Sequence, residues 1–476
     1  MPSTSTLHTA WNKRLVGQVA VLILVNVVVD TVITAPLIVL PQMLDHFGTD
    51  QPAWLNASAL LAGAMWAPLL GKTADVHGKR KLLVLTLVLA GAGALVCMIA
   101  SSLWVFVLGR VVQGAAVASL FLTVGIVRDL CESRIAMIVT GIVTTGNAVF
   151  GIVFPFVFES LSHAYGYRIV FIVSGVLAAA GALLVRFFLP ESVIRTPGRI
   201  DVAGALLLGG GLAAVVGYIS LGAEFGWISP ALLLLLAGAA ALAGWYVTAR
   251  RVPEPIVDIG NLGRPLVLTL LVVVLGTGAY QSMLQLFSLL ADVSPDQGLG
   301  YGLAAEGALG LLYGVPAIGI VLGGTLAGAL ATRVGPAVTL MGGVALGLVA
   351  TLGLFAGVST LALAVVCSFM LSLTAGTLVT SGFNMAAVLA PPHRQGVVSS
   401  LVMVMIAIGS VVLNFAGAAV LKSTSVRVDG STENSAAGVF GYIGLGTGAF
   451  VAAGVLALLL VRTVRRTSPS TAVGVA

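Results

Sequence analysis

Long apolar stretches recur along the whole chain, and they constrain its fold more than any other feature. The first runs from Leu15 to Leu40 and contains one charged side chain, Asp30. Only 8% of the 476 residues are charged and 59% are hydrophobic, whereas soluble proteins carry about 25% charged residues. A helix spans the bilayer core with about 20 mostly apolar residues, and the sequence lacks the short alternating segments of membrane β-barrels. We therefore predict an all-α integral membrane protein.

Fourteen apolar segments are predicted to be transmembrane helices. Two boundaries rest on a polar pair each, Ser101 with Ser102 and Ser359 with Thr360, because the joined runs are too long for one span. The predicted helices 1 to 14 are, in order, Leu15–Leu40, Trp54–Leu70, Leu82–Ala100, Leu103–Val127, Ile135–Phe158, Ile169–Leu189, Val202–Leu221, Ala231–Thr248, Leu266–Leu290, Leu309–Ala331, Ala337–Val358, Leu361–Phe383, Val397–Val420 and Ala437–Val461.

The positive charges fall on one side of these helices. If the N-terminus lies inside, 19 of the 23 Lys and Arg residues lie in inside positions, and Arg168, Lys422 and Arg427 lie outside. Cytoplasmic loops carry an excess of Lys and Arg. The count therefore predicts both termini in the cytoplasm of a cell membrane, which we take to be a bacterial plasma membrane. It also explains the net charge of +6 without a nucleic-acid partner.

An internal similarity divides the chain into two halves. The segment GKTADVHGKRK (71–81) follows helix 2, and GALATRVGPAV (328–338) follows helix 10. A shift of 257 residues aligns Gly71 with Gly328. Duplicated bundles with a site at their interface are typical of secondary transporters. The predicted domains are an N-terminal six-helix bundle (1–195), an inserted pair of helices 7 and 8 (196–251) and a C-terminal six-helix bundle (252–476).

Two stretches resemble motifs of the major facilitator superfamily. The segment 71–81 is similar to the signature between helices 2 and 3, and LGRVVQG (108–114) is similar to the helix-4 motif with Arg110. The resemblance implies a cytoplasmic charge cluster that switches the conformation. Basic residues that only set the topology are the alternative interpretation. The switch residues implied are Gly71, Asp75, Gly78, Lys79, Arg80 and Asp129.

Further stretches resemble the fourteen-helix drug/proton antiporter branch of this superfamily. They are VVVDTVITAPLIVLP (27–41), MLQLFSLLADVSP (283–295) and YGYRIVF (165–171). One departure concerns helix 5, where the antiporter motif has Gly-Pro followed two residues later by Gly-Gly. This chain has Asn147 at the proline position and Phe150 at the first glycine of the pair. The departure leaves the direction of transport open.

Asp30 is the candidate proton carrier. It lies about 15 residues into helix 1, near or beyond the midplane at about 1.5 Å per residue. An aspartate at that depth costs about 2.5–3.5 kcal/mol, and a low dielectric favours the neutral acid. The resemblance implies that Arg110 tunes this acid. The alternatives are a carboxylate permanently paired to Arg110 or bonded to a neighbouring helix, and an arginine that reaches the outer interface.

Four side chains within the spans are candidates for a substrate cavity: Asn147, Tyr280, Gln281 and Gln285. Gln281 and Gln285 are four residues apart and so share a helix face. Hydrogen bonding between helices is the alternative role for such amides. The three cysteines lack metal-ligand spacing, and no nucleotide-binding Gly-rich loop with its Lys occurs. We expect no metal, no cofactor and no enzymatic activity.

Together these features predict a monomeric secondary transporter in the lipid bilayer that exports hydrophobic or amphipathic small molecules in exchange for protons, as in multidrug or antibiotic efflux. One alternative is a proton-coupled uptake permease or facilitator for a small metabolite. Another is a membrane sensor that has the fold without transporting.

Overall fold

Helices make up almost the whole of the computed structural model. It describes residues 7–48, 52–192, 200–253, 255, 263–291, 293, 299–302, 314–391, 394–424, 426–428 and 431–467. A helix satisfies its backbone hydrogen bonds within its own segment, which lipid requires. Besides helices, the described part contains one antiparallel hairpin of β1 (Val426–Val428) and β2 (Ser431–Glu433).

The helices fall into three groups in chain order. The N-terminal group contains α1 (Lys13–Ile38), α2 (Leu40–Phe47), α3 (Pro52–His77), α4 (Lys79–Ile99), α5 (Leu103–Gln113), α6 (Ala118–Leu130), α7 (Ser133–Thr145), α8 (Phe150–Tyr165) and α9 (Arg168–Phe188). The middle pair consists of α10 (Val202–Phe225) and α11 (Leu232–Arg251). The C-terminal group contains α12 (Arg264–Ala291), α13 (Val315–Val334), α14 (Pro336–Gly357), α15 (Leu361–Leu389), α16 (Gln395–Ser423) and α17 (Ala436–Thr467).

Thirteen helical segments of the described residues are long and apolar enough to cross a membrane. Two of them contain a 3₁₀ turn, at Gly114–Val117 between α5 and α6 and at Gly146–Val149 between α7 and α8. The predicted splits at Ser101–Ser102 and Ser359–Thr360 are confirmed, since α4 ends at Ile99 and α14 ends at Gly357. The second predicted span lies within the 26-residue helix α3. The start of the tenth predicted span lies outside the described residues.

The predicted helices 2 and 3 leave residues 71–81 as a loop between them, and this prediction is wrong. Helix α3 continues to His77 and α4 begins at Lys79, so Gly78 alone separates them. Gly335 separates α13 from α14 in the same way. Both glycines have positive φ, 105° and 84°, a conformation that side chains disfavour. A single glycine thus turns the chain back into the membrane at each position.

Two large apolar cores hold the helices together. The first packs α1, α3, α4, α6, α7 and α9 with parts of α12, α15 and α16. The second lies within the C-terminal group, among α12, α14, α15 and α17. We call the end where α3 meets α4 the basic end, because Lys72, Lys79, Arg80 and Lys81 lie there. Leu389 of α15 packs against both cores.

The middle pair packs beside the place where the two groups meet. Helix α10 contacts both α3 and α16. Ala205 and Leu208 of α10 form a small core with Val397 and Leu401 of α16. Helix α11 packs on α10, and most of its residues are at least partly exposed. Only one member of the pair therefore touches the two groups closely.

Candidate functional site

Asp30 and Asn147 meet where α1 packs against the 3₁₀ turn between α7 and α8. Asp30 lies on α1 and is partly exposed, while Asn147 lies in the 3₁₀ turn Gly146–Val149. The Asn147 Nδ2 amide donates a hydrogen bond to Oδ2 of Asp30. The residue that replaces the motif proline therefore contacts the candidate acid. This contact was not expected from the sequence, which suggested a substrate-cavity role for Asn147.

A second amide fixes the register of the same two segments one turn away. The buried Asn26 donates from Nδ2 to the carbonyl of Val143 at 2.8 Å, and its amide lies 3.4 Å from the hydroxyl of Thr123 on α6. Asn26 precedes Asp30 by four residues and Val143 precedes Asn147 by four. The pairs are in parallel register. Asn26 and Thr123 were not predicted from the sequence, although an Asn within an apolar span is typical of a polar contact between helices.

Arg110 is a fully buried residue of α5. Its side chain reaches α1 near Asp30. Its Nη1 donates to the carbonyl of Val32 at 2.6 Å and to Oε1 of Gln113 at 2.9 Å. Val32 is two residues after Asp30, so the guanidinium lies within one helical turn of the acid. Two ion pairs, Lys79–Asp129 and Arg80–Glu191, lie at the basic end. Arg110 is thus held by a carbonyl and an amide.

Asp75 links the two groups at the basic end. Its Oδ1 accepts the amide of Gly396 at 2.9 Å and its Oδ2 accepts that of Val397 at 3.2 Å. These amides open helix α16, where the helix dipole favours a negative charge. Burial nevertheless raises the pKa of Asp75 to about 6, while the Gly396 bond and Lys79 oppose that rise. Asp75 lies beyond Leu70, where the predicted span ends.

Gly71 allows this close approach. A Cβ at Gly71 would lie 2.8 Å from the carbonyl oxygen of Gly396, and a Cβ at Gly396 would lie 2.5 Å from that of Gly71. Atoms do not approach a Cβ so closely, so only glycine fits on either side. The helices α3 and α16 therefore touch through their backbones.

The basic residues of the signature are paired within the N-terminal group. Lys79 is buried and its Nζ lies 2.7 Å from Oδ1 of Asp129. The other oxygen of Asp129 accepts from the Ser192 hydroxyl at 2.6 Å. Arg80 lies 3.6 Å from Glu191. The structure thus brings the predicted switch residues together and adds Glu191 and Ser192, which the sequence analysis missed.

More links between the groups were not foreseen from the sequence. Arg128 of α6 donates to Oδ1 of Asn384 on α15 at 2.7 Å. The hydroxyls of Thr144 and Thr380 lie 3.2 Å apart. Among the described residues, every hydrogen bond that joins the N-terminal and C-terminal groups lies between the basic end and the level of Thr144. The basic end is therefore closed.

The three remaining cavity candidates lie on α12 and have different surroundings. Gln281 is partly exposed and Gln285 is exposed. Tyr280 is buried in the second core together with Phe287. The two glutamines thus share an open face, and the aromatic pair packs inward. No group of three or more His, Cys, Asp or Glu suited to a metal occurs among the described residues.

Comparison with known proteins identifies the family. The model of the Major Facilitator Superfamily matches residues 22–413. A uridine/deoxyuridine transporter of Lactococcus lactis is 29% identical over 315 residues, which are 63% of this chain and 64% of that protein. A multidrug resistance protein B homolog of Mycobacterium tuberculosis is 27% identical over 390 residues, 75% of this chain and 68% of that protein. The chain thus spans less than two thirds of the first relative.

A solved structure agrees with this assignment at the level of the fold. The fucose:proton symporter FucP of E. coli superposes with a TM-score of 0.61 at 16% identity, covering 94% of this chain and 99% of that one. Since a family model covers most of the chain and the helices are arranged as in a transporter of that family, this multi-pass membrane protein belongs to the major facilitator superfamily of transporters.

Proposed function

We propose that this transporter exports hydrophobic or amphipathic small molecules in exchange for protons, with Asp30 as the proton carrier. The observation that carries the proposal is the setting of Asp30. It lies within α1, it is partly exposed, and an amide contacts its carboxylate. A deep acid with a neutral amide beside it is able to exist both charged and protonated, as a carrier requires.

The energetics of a single titrating group suffice for this role. An ionised aspartate deep in a bilayer costs about 2.5–3.5 kcal/mol, so protonation offsets a large penalty. One charge that crosses the membrane potential is worth about 2.3 kcal/mol per 100 mV. At about 1.36 kcal/mol per tenfold change, one proton supports roughly 50-fold accumulation per 100 mV.

We extend the proposal to the architecture. The helix α3 supplies a fourteenth span through its residues 54–70, and the basic end faces the cytoplasm. Residues 1–195 and 252–476 are then two six-helix repeats, with residues 196–251 inserted between them. The equivalent glycine breaks at Gly78 and Gly335 support this duplication.

The closed basic end would act as the inner gate. Asp75, Gly71 and the first amides of α16 hold it shut, and Arg128 with Asn384 adds a second link. In this state a substrate would reach Asp30 from the opposite end. Opening the inner gate requires these contacts to break, as in the rigid-body transitions of other transporters.

Export of apolar compounds is supported by the multidrug resistance relative and by the open face with Gln281 and Gln285 on α12. Proton-coupled uptake of a small metabolite is the second candidate. The uridine/deoxyuridine relative favours it, as does the presence of Asn147 where the antiporter motif has proline. We expect a monomer in either case.

The test is dye and proton movement in energised membrane vesicles. Asp30→Asn keeps the size of the side chain and removes its titration, so proton-driven movement of ethidium should fall to the level of vesicles without the protein. Asp30→Glu should retain part of it. Normal proton-coupled transport by Asp30→Asn would contradict the carrier assignment. The direction of ethidium movement separates export from uptake.

The proposed orientation has its own test. Single cysteines are placed at Lys81 and Arg427, and intact cells are treated with an impermeant thiol reagent. The cysteine at Arg427 should react and that at Lys81 should not, because the basic end is cytoplasmic under the positive-inside rule. The native cysteines are buried and give a low background. The reverse pattern would refute the orientation.

A further inference from the structure

We infer that Asn147 is a positioning residue that pairs with Asp30 in both of its protonation states and does not bind substrate. The inference rests on the proposed role of Asp30 as the proton carrier. Asn147 stands where the antiporter motif has proline, and this role would explain why an amide is present there.

The first observation is how the two polar atoms of the Asn147 side chain are placed. The Asn147 Nδ2 amide already donates to Oδ2 of Asp30. Its Oδ1 is buried and has no hydrogen-bond partner among the described residues. With one N–H engaged by Asp30 and its oxygen enclosed, this side chain has at most one N–H left for a substrate. The polar group of Asn147 is therefore directed at the carboxyl group of Asp30.

The chemistry of an amide carries the second step. An amide group has both N–H donors and a carbonyl acceptor. Its N–H donates to an ionised carboxylate, and its oxygen accepts the O–H of a protonated one after rotation of the amide. A lysine or arginine has donors only, so it cannot accept the O–H of the protonated form. A proline has no side-chain donor or acceptor, so it serves neither.

The third observation is how the 3₁₀ turn that contains Asn147 is held against α1. The 3₁₀ turn Gly146–Val149 interrupts the helix at Asn147. A Cβ at Gly146 would lie 3.2 Å from the side chain of Ile23 on α1, so this turn packs directly against α1. The Asn26–Val143 bond at 2.8 Å holds the same register one turn away. Asn147 is therefore held against Asp30 by neighbours on both segments.

The test is infrared difference spectroscopy of the purified full-length protein titrated with acid, which needs no substrate. The carbonyl-stretch band of protonated Asp30 is the one that disappears in Asp30→Asn. In Asn147→Ala this band should shift in frequency, because its hydrogen-bond partner is lost. In Asn12→Ala, which removes an exposed amide just before α1, the band should keep its position.

A reciprocal exchange protects the test against misfolding of one variant. In Asp30→Asn/Asn147→Asp the acid and the amide trade places, and a titrating carboxyl band should return. An unshifted band in Asn147→Ala, or no returning band in a folded exchange variant, overturns the inference while leaving Asp30 as the carrier. If Asp30→Asn removes no band, the acid does not titrate, and the proposed function fails together with the inference.

Discussion

The helix breaks at Gly78 and Gly335 have the same backbone shape and different chemistry. Each glycine alone separates two helices, with φ of 105° and 84°. Three residues before Gly78, Asp75 accepts amides from the opposite group. The residue equivalent to it before Gly335, Thr332, bonds to the carbonyl of Ala329 in its own helix at 2.7 Å. Only one of the two breaks is tied to the other half by charge.

The glycines that begin these two segments also have matching surroundings. A Cβ at Gly71 would lie 2.8 Å from the oxygen of Gly396, and a Cβ at Gly328 would lie 2.6 Å from that of Met137. Each glycine thus lets its helix touch the backbone of the opposite group. Close packing is therefore present on both sides of the closed end, whereas the carboxylate link is present on one.

The largest expected effect comes from the feature that both sides share. Gly71→Val and Gly328→Val each force a side chain against a backbone oxygen, and such overpacking costs about 1–3 kcal/mol or more. Closure of the basic end should fail in both variants, and ethidium transport in vesicles should fall about tenfold or more. Gly342→Val is the control, since a Cβ at Gly342 meets nothing within 4 Å. A loss in only one of the two variants would show that the matching geometry does not serve the same purpose.

The next effect concerns the feature that differs. Asp75→Asn removes the titration and leaves one acceptor oxygen for the two amides that open α16. Turnover should therefore fall by about tenfold, as expected when a buried donor loses its partner at about 1–3 kcal/mol. The purified yield should stay near that of the wild type, because the neighbouring apolar packing is retained. Thr332→Val should leave turnover and yield close to those of the wild type, because such a substitution changes stability by less than about 0.5 kcal/mol. Equal losses in the two variants would remove the proposed asymmetry.

The smallest effect is a dependence of closure on pH. In the closed end the pKa of Asp75 is raised from 3.8 to about 6 by burial, so the closed form binds a proton more tightly than an open, hydrated form. Closure should therefore be favoured below pH 4, and this advantage should be lost as the pH rises through about 6. Spin labels at Lys81 and Arg394 report the distance across the end at pH 5 and pH 7.5. In Asp75→Asn the distance distribution should not change with pH, and a persistent change would assign the titration to another group.

The sequence predicted the helical membrane fold because apolar length and loop charge are local properties. It also pointed to Asp75, Lys79 and Asp129 through a motif, and the structure places the latter two 2.7 Å apart. It did not reveal Gly396 or Asn384 as partners across the closed end. Those contacts join residues more than 240 positions apart, and no local pattern states which helix faces which.

The same limit explains the outcome for the polar candidates within the spans. Spacing alone put Gln281 and Gln285 on one face, and the structure agrees. The spacing does not show that Tyr280 faces a core while Gln281 faces outward, because an apolar helix in lipid has no polar side to orient it. For Asn147, the contact with Asp30 depends on how two helices cross, which the sequence does not specify.

The glycine contacts of the closed end also bear on its entropy. Freezing a long side chain costs up to about 1.5–2 kcal/mol, whereas glycine has no side chain to freeze. At Gly71 with Gly396, and at Gly141 with Gly324, backbone meets backbone. Such contacts form and separate with little loss or gain of rotamer freedom. The ordering cost of each closure then falls mainly on the few polar side chains, so those residues set how readily the two halves part.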